Sequence, residues 1–113
     1  MPFINVKTNC KLSEDNYTSI KSKLGQAITA VPGKSEGWLM VDIEDGHNLW
    51  FKGSDSPAAM VQVSLYGNAS DNALTTLTSH ITGILTSEAG ISSDRIYVSY
   101  MMTDNWGWNG SNF

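Results

Sequence analysis

The chain has almost nothing that would tie it together covalently or through a metal. Of its 113 residues only Cys10 is a cysteine, so neither an intrachain disulfide nor a zinc framework built on cysteines is available. His47 and His80 have no partner at the spacing that zinc ligands use, and we interpret both as solvated. We expect no metal and no other cofactor. A lone cysteine is typical of a reducing compartment, so we expect a cytoplasmic location. Secretion without a leader peptide is compatible with this expectation.

Positive charge and long apolar runs are also scarce. The 7 basic and 11 acidic residues give a formal net charge of −4, which argues against binding to nucleic acid and to anionic membranes. Nowhere do about 18 apolar residues follow one another, and the N-terminus has no basic segment followed by an apolar one. We therefore predict no membrane insertion and no signal peptide.

What is present is the composition of one globular domain. A hydrophobic fraction of 41% and a charged fraction of 16% are ordinary for a folded chain, and this length supports one core. We predict a single domain over residues 1–113. The low charged fraction suggests that partner chains cover part of its surface.

The first half of the chain has the pattern strand, helix, strand. Phe3–Thr8 is predicted as a strand, Ser13 as the N-cap of a helix, and Pro32-Gly33 as its end. A second strand is predicted at Trp38–Ile43 and a short one at Leu49–Phe51. The helix is indicated by apolar residues three and four apart, namely Tyr17, Ile20, Leu24, Ile28 and Val31.

The second half repeats this order. Met60–Tyr66 alternates as a strand, a helical stripe from Leu74 to Leu85 is closed by Gly90, and Ile96–Met101 is the next strand. Each half therefore predicts a right-handed βαβ unit with parallel strands. The fold class is α+β, with two pseudo-repeated βαβ units forming a four-stranded mixed sheet that has both helices on one face.

Alternation along the strands predicts which residues face the helices: Ile4, Val6, Val41, Ile43, Val61, Val63, Leu65, Ile96, Val98 and Tyr100. The open face of the sheet would then carry Phe3, Asn5, Trp38, Met40, Asp42, Met60, Gln62, Ser64, Tyr66, Tyr97, Ser99 and Met101. This second set is too aromatic and too rich in methionine for water, so we predict a symmetric homo-oligomer with its sheets facing inward. The alternative is a monomer whose loops fold over the open face.

The start of the chain offers a candidate base. Removal of Met1 would leave Pro2 with a secondary amine, and an α-amine beside apolar residues has its pKa lowered towards neutrality, where general bases work best. Many chains have proline at position 2 without catalytic meaning, and with Met1 retained the Pro2 nitrogen is a non-basic amide.

Five short motifs occur in a fixed order along the chain: Met1-Pro2, Gly33-Lys34, Phe51-x-Gly53-Ser54 with Pro57, Ser93-Asp94-Arg95-Ile96-Tyr97, and Gly107-Trp108-Asn109-Gly110-Ser111-Asn112-Phe113. Together they resemble the macrophage migration inhibitory factor family of the tautomerase superfamily. The resemblance covers the whole chain and fits the double βαβ pattern. It implies a homotrimer with three pockets between neighbouring subunits and an isomerase, a keto-enol tautomerase of the phenylpyruvate type, with Pro2 as general base.

The same resemblance implies the residues that bind a small aromatic 2-keto or enol acid: Lys34, Ser64, Tyr66, Tyr97, Ser99, Trp106, Trp108 and Phe113. Lys34 and the Tyr66 N–H would hold the substrate carboxylate, and Tyr97 would come from the neighbouring chain. Non-catalytic interpretations stay open: Lys34 could be a solvated lysine, and Tyr97 could only pack in the subunit interface. Trp106 and Trp108 could form a plug between subunits and not a substrate wall.

Departures from the family pattern bear on activity. Ala58 and Val61 stand where animal members have a Cys-x-x-Cys pair, so we reject a thiol oxidoreductase activity. Ser99 replaces an asparagine, Tyr66 replaces a smaller aliphatic residue, and the segment Met101–Asn105 is about two residues shorter than usual. A second hypothesis, of a different class, is a cytokine-like binding protein with a relic pocket that acts through a protein receptor.

Overall fold

The computed structural model describes all 113 residues. Its elements, in chain order, are β1 (Pro2–Thr8), α1 (Glu14–Ala27), β2 (Met40–Glu44), β3 (Ala59–Tyr66), α2 (Asp71–Ala89), β4 (Ile96–Thr103), β5 (Gly107–Trp108) and β6 (Ser111–Asn112). None of the helices is both long enough and apolar enough to cross a membrane.

The four long strands form one mixed sheet in the order β2-β1-β3-β4. β1 is parallel to β2, β3 is parallel to β4, and β1 and β3 are antiparallel in the centre. Each half of the chain is therefore a βαβ unit, and the two units lie side by side. The predicted fold class is confirmed, including its mixed sheet of four strands.

Both helices begin, and α2 also ends, where the sequence signals indicate. The Ser13 hydroxyl accepts a hydrogen bond from the Asn16 N–H, and the Asn16 side chain accepts one from the Ser13 N–H, which completes a capping box. The Ser70 side chain caps α2 by accepting a hydrogen bond from the Ala73 N–H. At the other end of α2, Gly90 has a φ of 69°, a left-handed conformation that glycine adopts without steric cost.

The hydrophobic core lies between the two helices and one face of the sheet. The predicted inward-facing residues of the four long strands all belong to this core or pack against it. Alternation along the strands therefore assigned the buried face correctly. The helices contribute Ile20, Leu24, Ala27, Leu77, Ile81 and Leu85, and Ile28 follows directly after α1.

Two predicted boundaries were wrong. The stripe of the first helix extends to Val31, but α1 ends at Ala27 and continues as a 3₁₀ turn over Ile28–Ala30. The second strand starts at Met40, because Glu36–Trp38 forms another 3₁₀ turn in which the Trp38 N–H donates to the Ser35 carbonyl. Trp38 therefore does not lie on the open face of the sheet.

The short strand predicted at Leu49–Phe51 does not form, because side chains from elsewhere bind the backbone there. The Asn9 amide donates to the carbonyls of Leu49, Asp55 and Ser56. The Arg95 guanidinium donates to four carbonyls, those of Phe51, Ser54, Ser56 and Pro57, and so shares the Ser56 carbonyl with Asn9. Only one isolated bridge, between Phe51 and Ser54, resembles strand pairing.

The open face of the sheet is uncovered in the single chain. Met40, Tyr97 and Met101 are 67%, 60% and 57% exposed, respectively. Asn5 is an exception, since it is buried and its amide donates to a Glu44 carboxylate oxygen at 2.9 Å. This exposure does not fit the alternative of loops folded over the face, and the homo-oligomer stays a prediction.

Candidate active site

An apolar cavity of about 410 Å³ opens beside the start of β1. It is formed by three segments that are distant in sequence: the chain start, the turn that precedes β2, and the first strand of the C-terminal hairpin. Ten residues line it: Met1, Pro2, Phe3, Gly37, Trp38, Leu39, Met40, Trp106, Gly107 and Trp108. Three of the predicted site residues, Pro2, Trp106 and Trp108, thus meet at one place.

Pro2 is held firmly at the edge of this cavity. It is the first residue of β1, lies opposite Leu65 of β3, and is buried. Pairing with β3 prevents the chain end from fraying. With Met1 attached, the Pro2 nitrogen is an amide that cannot accept a proton.

The main chain of Met1 reaches the end of β3. Its carbonyl oxygen accepts a hydrogen bond from the Tyr66 N–H at 3.1 Å. Burial lowers the pKa of the Met1 α-amino group below its ordinary value, and the nearby Lys34 ammonium lowers it further through its charge and a hydrogen bond. An amine at this chain end is therefore easier to deprotonate than one in water.

Lys34 is directed towards the same point by the turn after α1. Gly33 precedes it with a φ of 82°, and the Lys34 N–H donates to the Val31 carbonyl. The Lys34 Nζ donates to the Tyr66 carbonyl at 2.8 Å and lies 5.9 Å from the centroid of the Tyr66 ring. Lys34 is therefore half-buried beside the chain start and not a freely solvated lysine.

A row of aromatic rings connects Lys34 to the cavity. The Tyr66 ring lies 5.3 Å from that of Phe113, and Phe113 stacks on Trp108 with 6.4 Å between centroids. Trp108 in turn meets Trp38 edge to face at 5.3 Å. The hairpin of β5 and β6, together with a bond from the Phe113 N–H to the Trp106 carbonyl, holds this row in place.

Trp38 is a cavity residue that the sequence analysis missed, because it was assigned to a strand. The Ser35-Glu36-Gly37 run before it is rich in small and polar residues, which is typical of a turn. Read that way, the run would have removed Trp38 from the strand. The C-terminal hairpin that brings Trp108 to Trp38 was not predicted either.

Three other predicted site residues do not join the cavity within one chain. Ser64 lies opposite Phe3 in the middle of the sheet. Tyr97 and Ser99 lie on β4 opposite Met60 and Gln62, several residues away from the Pro2 end of β3. Tyr97 instead packs against Phe51, with 4.6 Å between ring centroids. Their role in a pocket shared between subunits stays a prediction.

A larger groove of about 500 Å³ lies on the outer side, between α1 and α2. Lys23, Thr76 and His80 are among its lining residues, but Lys23 pairs with Glu88. No group of three or more His, Cys, Asp and Glu side chains is arranged to hold a metal ion. The cavity at Pro2 combines a candidate base with aromatic walls, and the row of rings from Trp38 to Tyr66 connects it to the Lys34 ammonium.

Comparison with known proteins gives consistent matches over the full length of the chain. The family model for macrophage migration inhibitory factor (MIF) matches residues 1–113. The macrophage migration inhibitory factor of Meriones unguiculatus is 31% identical over 115 residues, covering 100% of this chain and 99% of that protein. The solved structure of Leishmania major MIF2 is 33% identical with a TM-score of 0.93, covering 100% of this chain and 97% of that one. A homologue from Prochlorococcus marinus is 27% identical with a TM-score of 0.80, covering 98% of each chain.

Proposed function

The chain belongs to the macrophage migration inhibitory factor family, and from this premise we propose that it is a keto-enol tautomerase acting on a small aromatic 2-keto acid such as phenylpyruvate. An isomerase-type enzyme follows from the family and the tautomerase fold. Keto-enol tautomerisation of an aromatic 2-keto acid is supported by a single arrangement: Pro2 lies in an apolar cavity, one residue from an amine whose pKa Lys34 helps to lower.

The proposed chemistry needs only proton transfer. In a chain that begins at Pro2, the neutral proline amine takes the enol O–H proton, and the π electrons of the enol then accept a proton at carbon from the resulting ammonium. The reverse direction removes the proton from the carbon next to the carbonyl. Atoms and charge balance without a cofactor, and a base with a pKa near the working pH serves both half-steps.

Substrate recognition follows from the surroundings of Pro2. The Lys34 ammonium supplies the positive charge for a carboxylate, and the row of Tyr66, Phe113, Trp108 and Trp38 offers faces and edges for a phenyl ring. We propose that Tyr97 and Ser99 complete the pocket from a neighbouring subunit of a homotrimer, since within one chain they lie apart from Pro2.

The test is the conversion of enol to keto phenylpyruvate near neutral pH by protein shown by intact mass to begin at Pro2. Pro2→Ala is the matched variant, because it keeps an α-amine but removes the secondary amine and its ring. We expect a rate well above buffer that falls at least tenfold in the variant. No rate in the Pro2-initiated protein would refute the proposal and favour the receptor-binding hypothesis.

A further inference from the structure

The contact between Met1 and Tyr66 extends the pairing of β1 and β3 by one residue. Pro2 lies opposite Leu65, and the next pair out is Met1 with Tyr66, where the Tyr66 N–H donates to the Met1 carbonyl at 3.1 Å. This carbonyl carbon is bonded directly to the Pro2 nitrogen, so the acceptor oxygen lies roughly 2 Å from that nitrogen. The Tyr66 N–H is thus occupied right beside the proposed base.

The other end of Met1 meets the second group that would bind a carboxylate. The Met1 α-amino group lies close enough to Lys34 for charge and hydrogen bonding to act between them. Lys34 itself is fixed by its bond to the Tyr66 carbonyl. Met1 therefore occupies the backbone N–H that a substrate acid requires, and its amine interacts with the Lys34 ammonium that would hold the same acid.

We propose that the main chain of Met1 is an internal occupant of the carboxylate site, so that removal of Met1 opens the binding site at the same time as it frees the Pro2 amine. This inference rests on the proposed function for the identity of the ligand. Its physical basis is that a single N–H donates one strong hydrogen bond, so the Met1 carbonyl and a ligand carboxylate exclude each other. The amide at Pro2 alone would abolish catalysis but leave ligand binding intact, whereas an occupied site abolishes both.

The first experiment measures binding without chemistry. Two chains are prepared by chemical ligation, one beginning at Met1 and one at Pro2, and each is titrated with 3-phenylpropionate, a saturated acid that cannot tautomerise. We expect the chain that begins at Pro2 to bind at least tenfold more tightly. Two controls identify the carboxylate as the cause: uncharged 3-phenylpropanamide should not distinguish the two chains, and Lys34→Met in the Pro2 form should remove most of the gain.

The second experiment observes the Tyr66 amide directly by hydrogen exchange. We expect this amide to be protected in the Met1 form, to exchange faster in the Pro2 form, and to regain protection when 3-phenylpropionate is added. The Ser64 amide is the internal control, because it pairs with Phe3 further along the same two strands and should be unaffected.

Equal affinity of the two chains for the acid, or equal protection of the Tyr66 amide in both, would overturn the inference. Its failure differs from failure of the proposed function. A Pro2 form that binds the acid more tightly but converts no phenylpyruvate refutes the tautomerase and leaves the masking by Met1 standing. A Pro2 form that is an active tautomerase while the Met1 form binds the acid equally well refutes the masking alone.

Discussion

At the residue scale, the pKa of the chain-terminal amine depends on the nearby Lys34 ammonium. A neighbouring cation disfavours the protonated amine, and burial acts in the same direction. Both effects lower the pKa of the Met1 amine, and the Pro2 amine lies one residue further into the same cavity. The working base should therefore be neutral under conditions in which an ordinary α-amine is still largely protonated.

This coupling predicts a pH profile. For the chain that begins at Pro2, kcat/KM should rise with pH through a midpoint below about 8, the value of a free α-amine. Lys34→Met removes the neighbouring cation, so the amine is protonated more readily and the midpoint should move to higher pH. Because Lys34 would also bind the substrate carboxylate, the variant should have a lower kcat/KM at every pH. A uniform decrease in kcat/KM does not move the midpoint of the profile. An unchanged or lowered midpoint would contradict the coupling.

Trp38 gives a second prediction at this scale. It lines the cavity and meets Trp108 edge to face, so Trp38→Ala should raise KM for an aromatic substrate about two- to tenfold, the range that an aromatic pair contributes. Trp38→Phe keeps a ring at the same position and should lie near the wild type. A loss of the same size in both variants would mean that the indole, and not the aromatic surface, is what matters.

The sequence allowed the main chemical groups to be found, but not everything around them. Pro2 and Lys34 could be identified because each belongs to a short motif with a local meaning. Tyr66, Trp108 and Phe113 were also named as site residues. Their arrangement in one row, and the part that Trp38 has in it, could not be predicted, since both depend on a hairpin that folds back from the end of the chain. Contacts between distant segments have no signature in local spacing.

At the scale of single elements, Gly83 within α2 and Gly90 at its C-cap should respond in opposite ways to alanine. Gly83 lies within the helix, and a Cβ added there would meet no atom within 4 Å. Gly83→Ala should therefore stabilise the protein by roughly 0.5–1 kcal/mol. Gly90 also has space around it but has a φ of 69°, so Gly90→Ala should cost roughly 1 kcal/mol through backbone strain.

Urea denaturation of both variants against wild type measures these changes. Destabilisation by Gly83→Ala would show that the outer surface of α2 is in contact with something in the assembled protein. Stabilisation by Gly90→Ala would contradict the left-handed end of the helix.

The elements also show where local reasoning succeeds. The two long helices have caps, stripes and stop signals that agree with each other, and both were predicted. Leu49–Phe51 has the apolar residues of a strand, but its carbonyls at Leu49 and Phe51 are bound by Asn9 and Arg95. Those partners are some forty residues distant in sequence, which local propensity cannot take into account.

At the scale of the whole molecule, the open face of the sheet predicts assembly. Met101 lies on this face and is 57% exposed in the single chain. Met101→Glu would place an unpaired carboxylate in the proposed subunit interface, where its desolvation is costly, so the variant should sediment as a monomer. Ser79→Glu, on the exposed side of α2, is the control and should stay a trimer. A wild-type monomer at micromolar concentration would contradict the shared pocket.

The position of β4 has a consequence for the chain before it assembles. β4 forms one edge of the sheet over 8 residues, Ile96–Thr103, without a proline or a charged side chain. Natural edge strands are usually shortened, charged or covered, because bare ones recruit further strands and lead to aggregation. β2, at the opposite edge, carries Asp42 and Glu44 and is protected in this way. Free subunits should therefore aggregate through the β4 edge. Dilute samples and interface variants, which contain more free subunits, should show increased turbidity.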